Sequence, residues 1–277
     1  MRCRAAVPLL GLTLSASGLL AAGLAQQQLD KPTIKIEMLQ APGANENAPV
    51  PLGTEHDVYC DGWLGELREP VIGMIASAEA IDNRDNFMET DLLYLNIGAE
   101  NGVTPGMEFW VVRPGRVVYQ HNSLLDELGR IYDTPGRVRV ICVHESSSIV
   151  EVVRSCENIQ IGDLVQPFEP VPIPIGRRST PVTSCDVPNG KILGHIVDVK
   201  DQAVPIGSGT VVFLDLGEQN GIAPGDFFTV FRPRQSAYGT RTILGEVSVL
   251  RTSRQASLAI VTLMHDTMYR GDDIELK

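Results

Sequence analysis

The chain has 277 residues, 43% hydrophobic, 21% charged and 5% aromatic, the balance of a globular protein rather than a disordered or collagen-like one. Its formal charge of −11 and pI of about 4.9 repel polyphosphate, which argues against nucleic acid as a partner. No complete catalytic motif is present, so the chain reads as a non-enzyme that needs no cofactor.

Arg2 and Arg4 form a short positive stretch, and no charged residue follows from Ala5 to Ala25. Gly23-Leu24-Ala25 places small residues at the positions a signal peptidase reads, so residues 1–25 are expected to be a secretory signal peptide. The same run is long enough to cross a bilayer as an uncut anchor, but it lacks a basic stop-transfer flank. No second apolar run of that length follows. The cleaved chain is therefore expected to be periplasmic or secreted, without a membrane span, and its charge becomes −13 once Arg2 and Arg4 are lost from the −11 total.

Residues 26–56 read as a disordered tether, with Gln26-Gln27-Gln28 and the polar stretch from Ala41 to Pro49 burying too little apolar surface to offset chain entropy. A first β module is expected over 57–169 and a second over 185–277. Between them, residues 170–184 form a linker in which Pro170, Pro172 and Pro174 favour an extended, semi-rigid spacer.

The two modules repeat each other. Leu95 to Pro114 aligns without gaps to Leu214 to Pro233, and ten of the twenty positions are identical. Downstream, Gly136-Arg137-Val138-Arg139-Val140 aligns with Gly245-Glu246-Val247-Ser248-Val249, and Gly162-Asp163 with Gly271-Asp272. The offset falls from 119 to 109, which locates a ten-residue insertion in module one between Pro114 and Gly136.

Apolar residues alternate at period two in Leu93-Leu95-Ile97, Phe109-Val111, Val138-Val140-Cys142 and Val150-Val152, and in their counterparts in module two. Asn101-Gly102, Asn220-Gly221, Pro105-Gly106 and Pro224-Gly225 supply turn chemistry between the runs. The fold class is therefore all-β: two small tandem β-barrel-like modules of five or six strands. The best helix signal is Ser123 to Leu128, with Ser123 as N-cap.

This pattern resembles the C-terminal domain of flagellar assembly protein T. It is also similar to modules found beside LysM peptidoglycan-binding domains in bacterial envelope proteins, and to exported proteins of Acidobacteria-type genomes. The resemblance rests on the Leu-x-Leu/Ile-Gly-x-x-x-Gly turn, the following Gly-Asp and Arg-Pro, and the closing Gly-Asp. Module two carries all of these; module one has Met107 where the pattern has Asp. The resemblance implies a β module of the cell envelope, with an envelope protein or peptidoglycan as partner.

The candidate chemistry is sparse. Gly98, Gly102 and Gly106 lead into a strand with no Lys-Ser/Thr, so they read as turn glycines rather than a phosphate cradle. Ser147, His144 and Asp163 make a triad only on paper. Asp215, Glu218, Asp226, Asp272 and Asp273 are too scattered for a calcium loop, and no metal site is expected. Arg113 and Arg232 end equivalent strands. They are candidates for contact with an anionic partner, against the local reading of a strand-end arginine bonding carbonyls or a turn acid.

Cys60, Cys142, Cys156 and Cys185 have spacings of 82, 14 and 29 residues, which do not suit zinc but allow disulfides in an oxidising compartment. Cys60 opens module one and Cys156 ends its hairpin strand, so a Cys60–Cys156 bridge is expected. Cys142 is either core or paired with Cys185 across the modules. The insertion, Gly115 to Pro135, carries Tyr119 and His121 as further partner-binding candidates. It is expected either to bind a partner or to pack on its own barrel, and its deletion over 116–133 to leave the module folded. The sequence thus points to an interaction or scaffold protein of the envelope, with exposed sheet edges and the insertion as partner surfaces. A glycan-binding module and a flagellar-assembly-like accessory are the alternatives.

Overall fold

The computed structural model describes residues 48–79, 84–123, 125–176, 180, 183, 185, 187–234 and 240–277. The expected signal peptide and residues 26–47 of the expected tether lie outside them. Among the described residues no helix is long and apolar enough to cross a membrane.

In chain order the first elements are β1 (Val50–Pro51), α1 (Glu55–Tyr59) and β2 (Trp63–Gly65). Barrel one follows as β3 (Gly73–Ala78), β4 (Leu92–Leu95), β5 (Glu108–Tyr119), β6 (Glu127–Val143), β7 (Ser148–Ser155) and β8 (Leu164–Pro167). After β9 (Ile175–Gly176), barrel two is β10 (Leu193–Val199), β11 (Val211–Leu214), β12 (Phe227–Pro233), β13 (Arg241–Thr252), β14 (Ser257–Met264) and β15 (Asp273–Leu276).

Both rings close in the same order. Barrel one runs β3-β4-β7-β6-β5-β8, with β2 added outside on β6, and barrel two runs β10-β11-β14-β13-β12-β15. The all-β reading with two tandem barrels is what the chain forms. Closure leaves the rings themselves without a terminal strand, so the expected exposed sheet edges are found only outside them, at β2, which pairs with β6 alone, and along the extended part of β5, which pairs with β6 alone.

The period-two alternation fills each interior. Leu93, Leu95, Val111, Val138, Val150 and Val165 meet in barrel one. Val212, Leu214, Val230, Val247, Ala259 and Ile274 meet in barrel two. Cys142 is not core: a register shift between Val140 and Cys142 turns it to the exposed outer face, and neither it nor Cys185 is in a disulfide.

The repeated glycine loop has one physical cause in each barrel. A Cβ on Gly98 would lie 2.4 Å from the His144 carbonyl oxygen, and one on Gly217 2.4 Å from that of Ser253, so backbone fills the space a side chain would need. Gly102 and Gly221, at φ of 78° and 75°, close the short 3₁₀ turns that follow.

The insertion is a hairpin extension. β5 continues past Pro114 to Tyr119 and β6 starts at Glu127, whereas the equivalent β12 stops at Pro233 and β13 starts at Arg241. The helix expected from Ser123 does not form. Strand pairing takes Glu127 onward, and the Ser123 hydroxyl instead accepts from the backbone N–H of Asp126 at 3.1 Å within the hairpin turn.

The two barrels share a third core. Val118, Leu128 and Ile131 from the extension, Leu64 from β2 and Val58 from α1 pack with Val197, Val211, Phe213, Leu250 and Leu258 of barrel two. The extension therefore packs on the neighbouring barrel, not its own, and removing 116–133 takes out the centre of this core. β11 shows the consequence locally: Val212 and Leu214 face the barrel interior while Val211 and Phe213 face the seam, so all four are buried.

The end of the expected tether is ordered. Thr54 and Asp57 form a reciprocal capping box that starts α1, and β1 pairs with β9. The expected spacer is likewise held down. Val171 and Ile173 pack against the shared core, and the Tyr59 hydroxyl donates to the Val171 carbonyl at 2.8 Å and accepts from its N–H at 3.1 Å. The Cys60–Cys156 disulfide is present and joins the end of α1 to the residue after β7.

Candidate functional site

The recurring Arg-Pro and Gly-Asp motifs meet in space. In barrel one Arg113 forks onto Asp163, with Nε and Nη2 each donating to a carboxylate oxygen at 2.8 Å. Arg232 repeats this on Asp272 with the same two 2.8 Å bonds. Each buried carboxylate also accepts a backbone N–H of its own turn, from Gln160 at 2.8 Å and from Tyr269 at 2.7 Å. The hydrogen bond to Asp163 raises the Arg113 pKa further above its ordinary value. Both forks are thus committed to a turn acid, the local reading of the strand-end arginine, and they fasten the first strand of each hairpin to the turn before the closing strand.

The paper triad does not assemble. His144 meets Ser147 through backbone, its N–H donating to the Ser147 carbonyl at 2.8 Å, and Asp163 is held by Arg113. The acids weighed for calcium serve other partners. Asp226 accepts the Ala223 N–H at 2.9 Å, and Asp215 accepts the His195 N–H at 2.6 Å. Among the described residues no group of three or more His, Cys, Asp or Glu is placed to hold a metal ion.

What the sequence did not bring together is the junction of the extension with barrel two. Tyr119 pairs with Glu127 at the neck of the hairpin turn. His121, at its tip, stacks on His195 of β10 with ring centroids 4.0 Å apart and 16° between planes. The His195 nitrogens face two carboxylates, Nδ1 at 2.9 Å from Asp215 and Nε2 at 3.3 Å from Asp273. His121 and His195 are 74 residues apart in different modules, so spacing carried no signal of the pair. Arg116 completes the junction: it donates from Nε to Asp198 at 2.7 Å and from Nη2 to the Val199 carbonyl at 2.9 Å. The Asp198 hydrogen bond raises the Arg116 pKa.

Two clefts flank the extension along the seam. The smaller, about 390 Å³, lies between Tyr119–Ser123 and the Ile196–Val197 and Arg270–Gly271 segments of barrel two. The larger, about 710 Å³, lies between Leu64–Glu69 of barrel one and Ser253–Ala256 of barrel two, with Glu127 and Leu128 also lining it. Its banks are tied together: the Ser253 hydroxyl donates to the Leu64 carbonyl, and Arg254 lies 3.5 Å from Glu66. Behind it the Arg251 guanidinium stacks over Trp63 at 4.8 Å, where burial lowers its pKa below the ordinary value. Arg68, on one bank, forms no ion pair among the described residues.

A comparison with curated proteins finds no match. The stretch from just before β4 to the end of β8, residues 90–167, matches the family model described as "Flagellar assembly protein T, C-terminal domain", so the resemblance carried by the turn, Arg-Pro and Gly-Asp motifs holds over five of the six strands of barrel one.

Proposed function

We propose that this protein is a non-enzymatic interaction or scaffold component of the bacterial cell envelope, acting as a flagellar-assembly-like accessory beyond the inner membrane. The observation that carries this reading is the shared core: it packs the two barrels against each other and leaves two side-chain-lined clefts along their seam. The match to the flagellar assembly protein T C-terminal domain supports a protein partner, and the Cys60–Cys156 disulfide supports an oxidising compartment. The titratable groups drawn together by the fold engage one another: Arg113 with Asp163, Arg232 with Asp272, and His195 with Asp215 and Asp273.

The test is site-specific photo-crosslinking in living cells from the envelope fraction. A crosslinker at Leu67 or Arg68, on the larger cleft, is expected to capture a discrete partner, and one at Met88, away from the seam, is not. Equal capture at both positions, or capture at Met88 alone, removes the seam from the reading. The glycan alternative is favoured by the smaller cleft, where Tyr119, Gln120, His121, Asn122 and Arg270 gather hydrogen-bonding side chains. Sedimentation with purified sacculi, lost in His121→Ala and Arg270→Ala, would decide for it.

A further inference from the structure

The disulfide closes on a helix too short to hold itself. α1 has five residues, well under the length at which an isolated helix is stable, so its place depends on what it touches. Besides the ion pair of Glu55 with Arg154, it makes three contacts. Val58 enters the core between the barrels. The Tyr59 ring packs on Trp110 and Phe168, with centroids at 5.3 and 6.1 Å, over an aromatic patch on the outside of barrel one. The Tyr59 hydroxyl holds Val171 of the segment between the barrels by two hydrogen bonds. Cys60, the residue after α1, is buried, while Cys156 is only half-buried.

The surroundings of Cys156 suit attack by an anion. A pit of about 10 Å³ beside Cys156 is lined by Tyr59, Trp110 and Phe168 together with Arg137, Arg154 and the acid Glu55. Each arginine also faces a carboxylate: Arg154 reaches Glu55 of α1 at 3.1 Å, and Arg137, which lies over the Phe168 ring at 4.5 Å, is 3.5 Å from Glu108. Neighbouring cations favour the thiolate form both of an approaching thiol and of a released cysteine.

We propose that Cys60–Cys156 is a thiol–disulfide exchange site, and that its reduction by a dithiol releases α1 and with it the fastening of the segment between the barrels. A thiolate of the dithiol attacks Sγ of Cys156 and the S–S bond breaks toward Cys60, whose sulfur leaves as thiolate and takes a proton. The second thiol of the donor then attacks the mixed disulfide and frees Cys156. The protein gains two electrons and two protons as two thiols, and the donor becomes a disulfide. Both barrel interiors lie outside this path, since neither core contains a residue of α1.

Trp63 and Trp110 are the two tryptophans of the chain, and both lie in the aromatic patch beneath α1. Dithiothreitol added to the folded full chain should raise the number of alkylatable cysteines by two and shift tryptophan emission to the red. Amide exchange should rise in residues 50–62 and 169–176 while the barrel strands stay protected. Arg154→Gln should slow the reduction several-fold, and Cys60→Ser with Cys156→Ser should give the reduced protein's emission without reductant. If the bond resists dithiothreitol until the barrels unfold, exchange at this site is wrong. If it is reduced with no change in emission or in exchange of 50–62, the fastening is wrong. Loss of β-structure on reduction would make the bond a global staple and overturn the proposal as well.

Discussion

Phe213 is the side chain on which the coupling of the two barrels is best measured. It is fully buried, yet it contributes nothing to the interior of its own barrel, because alternation along β11 sends Val212 and Leu214 inward and Phe213 to the seam. Phe213→Ala removes the largest side chain of the shared core. Truncations of this kind cost about 3–5 kcal/mol through lost transfer energy and the cavity left behind. That loss falls on the contact between barrels, whereas Leu214→Ala takes its loss from the core of barrel two. The assay is urea unfolding of a Trp63→Phe background followed in parallel by tryptophan fluorescence, which then reports barrel one through Trp110 alone because Trp63 lies under Arg251 of barrel two, and by far-ultraviolet circular dichroism, which reports both barrels. The background alone should give superposed curves and one transition, as a single cooperative body does. Phe213→Ala should separate the curves, with barrel two melting first. Separate curves in the background alone, or a loss under about 1 kcal/mol in the variant, would refute a shared core that binds the barrels together.

Three further outcomes follow from the geometry. Burial is the largest influence on Asp61 and pushes its pKa up to about 6, against the attraction of Lys200 and His56. A folded-state pKa above the unfolded one means stability is undiminished below the unfolded value near 3.8 and falls as pH rises to about 6. Asp61→Asn should therefore raise stability at pH 7, by about 3 kcal/mol at most, and change little at pH 4, as read from thermal melts at both. Gly98→Ala drives a methyl into the backbone of His144, Glu145 and Ser147 and should cost about 3 kcal/mol, while Gly102→Ala meets open space and should cost only about 1 kcal/mol for its positive φ, both measured by urea unfolding. Asp272→Ala strands the Tyr269 N–H and the Arg232 fork. It should destabilise by about 2 kcal/mol, and Asp163→Ala should match it in barrel one if the two clamps are equivalent; a marked difference in chemical denaturation would show they are not.

The barrels were legible in the sequence because a repeat aligns what a strand pattern alone leaves ambiguous. The Leu95–Pro114 match aligns the end of β4 with the end of β11 and Glu108–Pro114 of β5 with β12 residue by residue, and the drop in offset marks the hairpin extension. The Cys60–Cys156 pair was legible from position in module one. The seam was not, since Val118, Leu128 and Ile131 alternate like any strand and period two does not say which body they face. The apolar run in β11 did not mark it either: Val211–Leu214 is buried throughout, whereas the equivalent Leu92–Leu95 is as continuous a run of apolar and aromatic residues with one face only half-buried. α1 was within reach, because Thr54-x-x-Asp57 is a capping-box spacing. Cys142 was misplaced because one bulge reverses the alternation after Val140. The His121–His195 stack and its two carboxylates join four residues from distant parts of the chain, and no local pattern encodes that.

Closure of both rings limits how such a protein can recognise anything. A closed ring has no free ladder of its own, so strand addition is confined to the outer side of β2 and of the extended part of β5. The two barrels differ on their outer surfaces rather than inside. Barrel one carries β2, α1, the disulfide and the hairpin extension; the hairpin of barrel two is five residues shorter on its first strand, β12 having seven where β5 has twelve. β2, α1 and the extension each put side chains into the seam, through Leu64, Val58 and Val118. Substitutions at Leu67, Arg68, His121 or Arg270 therefore alter the cleft walls without reaching either barrel interior, whereas substitutions at Val118, Leu128 or Phe213 change whether the two walls stay in register at all.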